Sequence, residues 1–204
     1  MRTPPAAPSS ASRCAGSTDV DHTLRVLVVC TANICRSPAA EYYLRHHARE
    51  LGIDLEVSSA GFLYDDEPAS EAMATVMGER GFDLSAHRSR VVNCAMVDAV
   101  DLVVTMERRH GRDLAGKCGP VGIFTLRGAV EALRVLEGEF DGPIDRLEAI
   151  DRNRLPADLL GVGDDEVPDP FGKSMRVNRR AADDLSALAE ELLKLLVPAA
   201  ETTS

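Results

Sequence analysis

Short apolar runs alternate along the chain with longer segments in which apolar residues recur every three or four positions. Leu24–Val29 is a β-branched apolar run without alternation, which is typical of a strand covered on both faces of a parallel sheet. From Pro38 to Leu51 the apolar residues recur at helical spacing, with Pro38 in the first turn and Gly52 beyond the end. A strand, a loop and a helix are therefore predicted in succession.

The same pattern continues to residue 126. It predicts strands near Leu55–Ser59, Val100–Thr105 and Val121–Leu126, a helix near Ala69–Arg80 and a short helix after Met106. Such alternation is typical of the α/β class. We therefore predict a single-domain, four-stranded parallel sheet with helices on both faces.

The stretch that follows is less regular. One helix is predicted over Arg127–Leu136, followed by loops and a turn at Asp141, Gly142 and Pro143. Apolar residues then recur along Asn178–Val197, which predicts an amphipathic final helix.

The two ends of the chain are predicted to lie outside the domain. Residues 1–22 are rich in Pro, Ala, Ser and Gly and have no periodic apolar face, so they cannot bury enough surface to offset their chain entropy. We expect a disordered tail there, a domain over residues 23–198 and a C-terminal tail over residues 199–204.

Composition excludes several classes of function. The net charge of −10 argues against a nucleic-acid partner, because affinity for a polyanion requires an excess of Lys and Arg. No apolar run reaches the length of a membrane helix, and the N-terminus lacks the apolar core of a secretory signal. Five cysteines without paired spacings predict free thiols. We expect a cytoplasmic protein without membrane insertion.

The first strand ends directly at the sequence C-T-A-N-I-C-R-S, in which Cys30 precedes Arg36 by six positions and Ser37 follows. A loop between a strand and a helix N-terminus points several backbone N–H groups into one concavity, which suits a phosphate group. Arg36 can add a bidentate contact to two phosphate oxygens. The positive field favours the thiolate of Cys30, the candidate nucleophile, and Ser37 can donate a hydrogen bond to its sulfur.

The remaining residues of this phosphate-binding loop are Thr31, Ala32, Asn33, Ile34 and Cys35. Asn33 is expected to hold the backbone in shape, since Asn tolerates left-handed conformations and bonds neighbouring peptide groups. Cys35 can form a reversible disulfide with Cys30 under oxidants and so protect the nucleophile, which we state as a hypothesis.

The segment Val29–Glu41 resembles the signature of the low-molecular-weight protein tyrosine phosphatases. Further resemblances occur in the family's order at Ser59–Gly61, Gly81–Arg90, Asp101–Glu107 and Val167–Phe171. The resemblance implies hydrolysis of phosphotyrosine through a phosphocysteine, with no metal or other cofactor. It also implies a phosphotyrosine-containing protein substrate, for which a bacterial tyrosine kinase is a candidate.

The same resemblance assigns roles outside the loop. Asp169 would be the general acid that protonates the leaving phenolate and then the base toward water, and its neighbours Pro168 and Pro170 would stiffen its loop. Ser59 and His87 would join Asn33 and Ser37 in a buried network beneath the loop. Phe171, together with Phe62 or Tyr64, would wall an aromatic slot for the substrate ring.

Three departures from the family pattern stand out. Ala32 stands where the family usually has Gly and would be strained at positive φ. Gly172 replaces a second aromatic residue that many members carry. Residues 127–163 form a longer, family-variable insertion.

Three alternative functions remain open on the same scaffold. An arsenate reductase would need two further cysteines close together, whereas Cys94 and Cys118 are far apart in sequence. A protein-arginine phosphatase would favour a small Thr where Ile34 stands. A non-catalytic phosphoprotein-binding module would not need a nucleophile, an arginine and an acid together.

Overall fold

The computed structural model describes residues 23–120, 122–154 and 165–197. Four parallel strands form one sheet in the order β2-β1-β3-β4. They are β1 (Leu24–Val29), β2 (Leu55–Ala60), β3 (Leu102–Thr105) and β4 (Ile123–Thr125). The predicted α/β fold with a four-stranded parallel sheet is therefore confirmed.

Within the described residues, helices follow or separate the strands. They are α1 (Arg36–Leu51), α2 (Glu71–Gly78), α3 (Cys94–Asp98), α4 (Arg108–Cys118), α5 (Leu126–Arg134), α6 (Pro143–Asn153) and α7 (Met175–Leu196). Five of them match the predicted helices in order.

Helix α6 corrects the sequence prediction, which placed only loops and a turn at Asp141–Pro143 after the helix at Arg127–Leu136. The turn is followed at once by a helix, since Pro143 is its first residue. Leu147 and Ile150 lie three positions apart on α6 and are both buried. This short apolar face holds the helix against the domain although most of its other residues are polar.

The core lies on both faces of the sheet, as the unbroken apolar run of β1 predicts. Val26 and Val28 of β1 belong to the larger cluster, which also includes buried residues of α1, α5 and α7. Leu27 and Val29 point to the opposite face and pack with Val97 of α3 and other residues of α3 and α4. Both faces of β1 are therefore covered, which explains why its sequence does not alternate.

The strand order places a binding crevice at the carboxyl end of β1. The chain leaves β1 to form β2 on one side of it and then crosses over to form β3 on the other side. The connections that follow β1 and β3 therefore run in opposite directions, which leaves a crevice between the ends of these two strands. Met106, just after β3, donates its backbone N–H to Val29 O at 3.0 Å. Residues 30–35 and the segment after Met106 therefore share one edge of the sheet.

Gly61, which directly follows β2, allows the loop after β1 to pack closely on this edge. A Cβ atom at Gly61 would lie 2.6 Å from the backbone nitrogen of Asn33 and 2.8 Å from the carbonyl carbon of Ala32. Only glycine leaves room for this contact between two backbones.

One pair of cysteines overturns the expectation of free thiols. Cys94 in α3 and Cys118 at the end of α4 form a disulfide with a Cα–Cα distance of 5.2 Å. The two residues are 24 positions apart, but α3 and α4 pack against each other on the same face of the sheet. Sequence spacing alone does not reveal this contact. Cys30 and Cys35 are free, as predicted.

Some predictions fall outside the described residues. These are the two tails, residues 1–22 and 199–204, and residues 155–163 of the predicted insertion. Among the residues that are described, no helix has both the length and the apolar character needed to cross a membrane.

Candidate active site

The loop between β1 and α1 is held by a network centred on Asn33. Asn33 is buried and has φ 54°, the left-handed conformation expected from the sequence. Its side-chain amide donates to Ser37 Oγ at 2.9 Å and to Ser59 Oγ at 2.8 Å. Its side-chain oxygen accepts from the backbone N–H of Arg90 at 3.0 Å. Its backbone carbonyl oxygen lies 2.6 Å from Nε2 of His87. Ser59 and His87 therefore lie where the resemblance suggested, in contact with the loop.

Ala32 is free of the strain considered from the sequence. In the described part of the chain, the non-glycine residues with positive φ are Asn33 and Asp66. Because Ala32 is not among them, its Cβ carries no left-handed penalty.

The thiol of Cys30 lies at the base of this loop, 3.0 Å from Ser37 Oγ. Ser37 Oγ already accepts a hydrogen bond from Asn33. The hydroxyl hydrogen of Ser37 is therefore available to Cys30, since its other acceptor, Ala60 O, is more distant at 3.4 Å. This arrangement stabilises a sulfur anion at Cys30.

Arg36 is buried at the first turn of α1 and is fixed by several acceptors. Its Nη1 atom lies 2.8 Å from both Val167 O and Glu107 Oε1. Its Nη2 atom lies 2.9 Å from Asp169 Oδ2 and 3.2 Å from Thr31 Oγ1. The Nε atom, in contrast, is buried and has no hydrogen-bond partner. A buried, charged donor without an acceptor is costly, and an oxyanion in the loop would satisfy it.

Glu107 is a member of the site to which sequence reasoning gave no role. It follows β3 by two positions and accepts from Arg36 and, at 2.5 Å, from Nε of Arg109. Burial works against its charged form, but the hydrogen bonds from Arg109 and Arg36 prevail and lower the pKa of its carboxyl group. An acidic residue directly after a strand next to β1 was the available sequence signal, within the family-like segment Asp101–Glu107.

The first turn of α4 adds two more residues that the sequence did not reveal. Thr31 Oγ1 lies 3.0 Å from His110 Nε2 and 3.1 Å from Arg109 Nη2. Burial lowers the pKa of His110 to about 4, with Arg36 and Arg109 acting in the same direction and Glu107 opposing them. His110 is therefore a neutral ring at neutral pH. Helix α4 thus holds the loop at Thr31, in addition to the network at Asn33.

Asp169 lines the same cavity as the loop residues and contacts Arg36. It is exposed apart from its contact with Arg36, and its Oδ1 atom accepts from the backbone N–H of Phe171 at 3.2 Å. The segment that carries it is anchored at both ends: Val167 N donates to Met106 O at 2.9 Å, and Asn178 Nδ2 donates to Pro170 O at 3.2 Å. The structure therefore brings Asp169 to the same cavity as Cys30, although 139 positions separate them in sequence.

A cavity of about 120 Å³ opens above Cys30 and Arg36. The other residues that line it are Thr31, Ala32, Ile34, Cys35, Leu63, Tyr64, Asp169 and Phe171. Phe171 and Tyr64 are exposed at its rim, so they lie where a slot for an aromatic ring was predicted. Leu63, a member of the wall, was not foreseen.

Phe62 does not line this cavity, which corrects its assignment to the substrate slot. Its ring stacks on His110 with centroids 5.4 Å apart, and it packs against the core cluster beneath α4. Leu63 and Tyr64, which follow Phe62 in the chain, line the cavity, whereas Phe62 packs inward against this cluster.

Of the two free thiols that line the cavity, Cys35 is unsuited to act as a nucleophile. Burial raises the pKa of the Cys35 thiol to about 12, and the nearby Asp169 and Cys30 add to this effect. Cys35 therefore stays protonated at neutral pH, and only a thiolate is an effective nucleophile.

Comparison with known proteins agrees with this geometry. Residues 25–145 match the family model described as low molecular weight phosphotyrosine protein phosphatase. A crystal structure of a low molecular weight protein tyrosine phosphatase from T. tengcongensis is 31% identical, covers 84% of this chain and 98% of that chain, and has a TM-score of 0.64.

Two curated relatives carry different substrate names. The probable low molecular weight protein-tyrosine-phosphatase EpsP of Ralstonia solanacearum is 33% identical over 92 residues, which is 45% of this chain and 61% of that relative. The chain thus matches less than two thirds of that protein. A protein-arginine-phosphatase of Bacillus subtilis is 27% identical over 174 residues, 84% of this chain and 95% of that relative.

The family model covers more than half of the chain. The chain therefore belongs to the low molecular weight phosphotyrosine protein phosphatase family.

Proposed function

We propose that this protein hydrolyses phosphotyrosine in protein substrates through a covalent phosphocysteine at Cys30. The observation that supports the proposal most strongly concerns Arg36, which lines the same cavity as Cys30. Its Nε atom is buried and has no hydrogen-bond partner, although the loop has the form of an anion-binding site. A phosphoryl group in the loop would accept from this nitrogen and from the backbone N–H groups of the loop. Family membership points to the same substrate group.

The first chemical step transfers the phosphoryl group to sulfur. The thiolate of Cys30 attacks phosphorus, and the bond from phosphorus to the tyrosine oxygen breaks. The carboxylic acid of Asp169 gives its proton to that oxygen, so that tyrosine leaves as a neutral phenol. Arg36 stabilises the charge on the oxygens of the phosphoryl group in flight.

The second step regenerates the enzyme. Asp169, now a carboxylate, takes a proton from a water molecule as that water attacks the phosphorus of phosphocysteine. The S–P bond breaks, inorganic phosphate forms, and the sulfur leaves as a thiolate that accepts a hydrogen bond from Ser37. Every group in this scheme is supplied by the protein, by the substrate or by water.

The substrate class is argued from the walls of the cavity. Ile34, Leu63, Tyr64 and Phe171 give it an apolar lining, which suits a phenyl ring and disfavours the charged guanidinium of phosphoarginine. The relative named protein-arginine-phosphatase makes phosphoarginine the second candidate substrate.

A direct comparison of the two substrates tests this assignment. We expect the parent protein to hydrolyse a phosphotyrosine peptide with a higher kcat/KM than phosphoarginine, and Ile34→Thr to shift the ratio toward phosphoarginine. Leu63→Thr, at another apolar residue of the cavity wall, is the matched control. A parent protein that prefers phosphoarginine would refute the assignment to phosphotyrosine while leaving the phosphocysteine scheme intact.

An arsenate reductase activity is disfavoured by the position of the disulfide. Cys118 ends α4, whereas Thr31 contacts His110 in the first turn of α4, and the eight residues of helix between them span about 12 Å. The Cys94–Cys118 pair is thus too remote for direct exchange with Cys30. A reductase activity toward arsenate in the presence of thioredoxin would contradict this reasoning.

We also propose that the protein works in the cytoplasm on a phosphotyrosine-containing protein. A reducing compartment suits the reduced thiol at Cys30 on which the reaction depends, and there the Cys94–Cys118 disulfide would itself be open to reduction. A bacterial tyrosine kinase is one candidate partner, and Cys30→Ser, which binds the phosphate group but cannot turn it over, is the variant with which to capture such a substrate.

A further inference from the structure

Three side chains of metal-ligating types lie together on α1, away from the phosphate-binding loop; His46 and Glu50 are partly exposed and His47 is mostly buried. Glu50 follows His46 by four positions and His47 by three, and both spacings place side chains on one face of a helix. Its Oε1 atom lies 3.4 Å from His46 Nε2, and its Oε2 atom lies 3.2 Å from His47 Nδ1. One ligand atom from each residue lies within 4.8 Å of the other two.

The two rings are held in place by neighbouring elements. Nε2 of His47 lies 3.1 Å from Ser186 Oγ on α7. When this nitrogen donates to the hydroxyl, the lone pair of Nδ1 faces Glu50, which is the tautomer a metal ligand requires. The ring of His46 meets Phe82 edge to face with centroids 5.2 Å apart.

We propose that His46, His47 and Glu50 bind a divalent transition metal ion of the zinc type, with water completing the coordination. Two imidazoles and one carboxylate are a ligand set that zinc prefers, whereas calcium and magnesium prefer oxygen ligands. Separations of 3.2 and 3.4 Å between ligand atoms fit around an ion with bonds of about 2.1 Å.

The position of the site fixes what the ion would do. His46 lies ten residues after Arg36 on α1, which is about 15 Å along the helix from the loop that holds the phosphate. The ion would therefore take no part in the hydrolysis. Because His47 also contacts Ser186 on α7, the bound ion would instead stabilise the packing of α1 on α7. Since His46 and Glu50 are partly exposed, the ion would exchange with solvent.

Isothermal titration of the full chain with zinc chloride tests the proposal. The titrated background has Cys14, Cys30 and Cys35 replaced by Ser and is treated with a chelator and then dialysed, so that none of these thiols competes for zinc. We expect one ion per chain at this site, and at least about tenfold weaker binding in Glu50→Gln and in His46→Gln. Glu56→Gln, which removes an exposed carboxylate on β2, is the matched control and should bind like the background.

Two further measurements separate a site from an ordinary ion pair. Zinc should raise the melting temperature of the background and of Glu56→Gln but not of Glu50→Gln. Cobalt(II) should give visible absorption that is lost in Glu50→Gln. Equal zinc binding in the background and in Glu50→Gln, or no binding in the background, would show that the three residues form only a surface ion pair and would overturn the proposal.

Discussion

Arg36 and Asp169 form an ion pair across the cavity, with Nη2 and Oδ2 2.9 Å apart. The guanidinium belongs to the anion site and the carboxylate is the proposed acid, so the pair competes with a bound phosphate for the same donor. Asp169→Asn removes both the proton donor and this competition. We expect kcat for aryl phosphates to fall by about 10²- to 10⁴-fold, whereas inorganic phosphate should inhibit at the same or a lower concentration. Weaker inhibition by phosphate would show that Asp169 supports the anion site.

Glu107 is predicted to hold Arg36 in its productive position. In Glu107→Gln the carboxylate that faces both Arg36 and Arg109 is replaced by a neutral amide. Because hydrogen bonds between charged groups contribute about 1.5–3 kcal/mol, kcat/KM should fall by about 10- to 100-fold.

Glu166→Gln is the matched control for this change, because Glu166 accepts from the backbone N–H of Arg108 and does not contact Arg36 in the structure. It should stay within about threefold of the parent. Equal losses in the two variants would indicate a general effect of charge on this segment.

The buried, neutral His110 should make stability depend on pH. Its folded pKa of about 4 lies below the usual value of 6.5, so between these values the unfolded chain binds more protons than the folded one. The contribution of neutral His110 to the free energy of unfolding is therefore complete above pH 6.5 and is lost as the pH falls toward 4. Its size is at most about 3 kcal/mol, from 1.36 kcal/mol for each pH unit.

Urea unfolding at several pH values measures this effect. The loss of unfolding free energy between pH 7 and pH 4.5 should be smaller in His110→Gln than in the parent. His46→Gln, measured with a chelator present, changes an exposed histidine and should keep the slope of the parent. The same slope in all three proteins would mean that His110 takes up its proton at the same pH in the folded and the unfolded chain.

The Cys94–Cys118 disulfide should stabilise the fold with little effect on catalysis. Closing a loop of about 25 residues contributes about 3 kcal/mol in the chain-entropy treatment. Replacing both cysteines with Ser should therefore lower the free energy of unfolding by that amount in the absence of a reductant, while kcat/KM changes by less than about threefold. With a reductant present, parent and variant should converge. A large loss of activity in the variant would show that the far end of α4 controls its contacts with Thr31.

The sheet and the loop after β1 could be predicted from the sequence because the patterns that indicate them are local. The run Leu24–Val29, the spacing of Cys30 and Arg36, and the helical period after Pro38 each lie within one short segment. They predict the strand, the loop and the helix without knowledge of any distant contact.

The parts that could not be predicted depend on which distant segments meet. The active site includes Glu107, Arg109 and His110 only because β3 lies beside β1 and α4 starts at the same edge of the sheet. Cys94 and Cys118 pair for a similar reason. Phe62 was assigned to the cavity because aromatic residues suit a substrate ring, but the direction of a side chain after a strand is set by the local turn.

The central claim is that a phosphoryl group passes through the sulfur of Cys30. It is tested most directly by mixing the protein with an aryl phosphate, denaturing within milliseconds and measuring intact mass and peptide masses. The account predicts one added phosphoryl group per chain on the peptide that contains Cys30, and none in Cys30→Ala, which should also lack turnover. Steady turnover with no phosphorylated peptide, or the same added mass in Cys30→Ala, would contradict it.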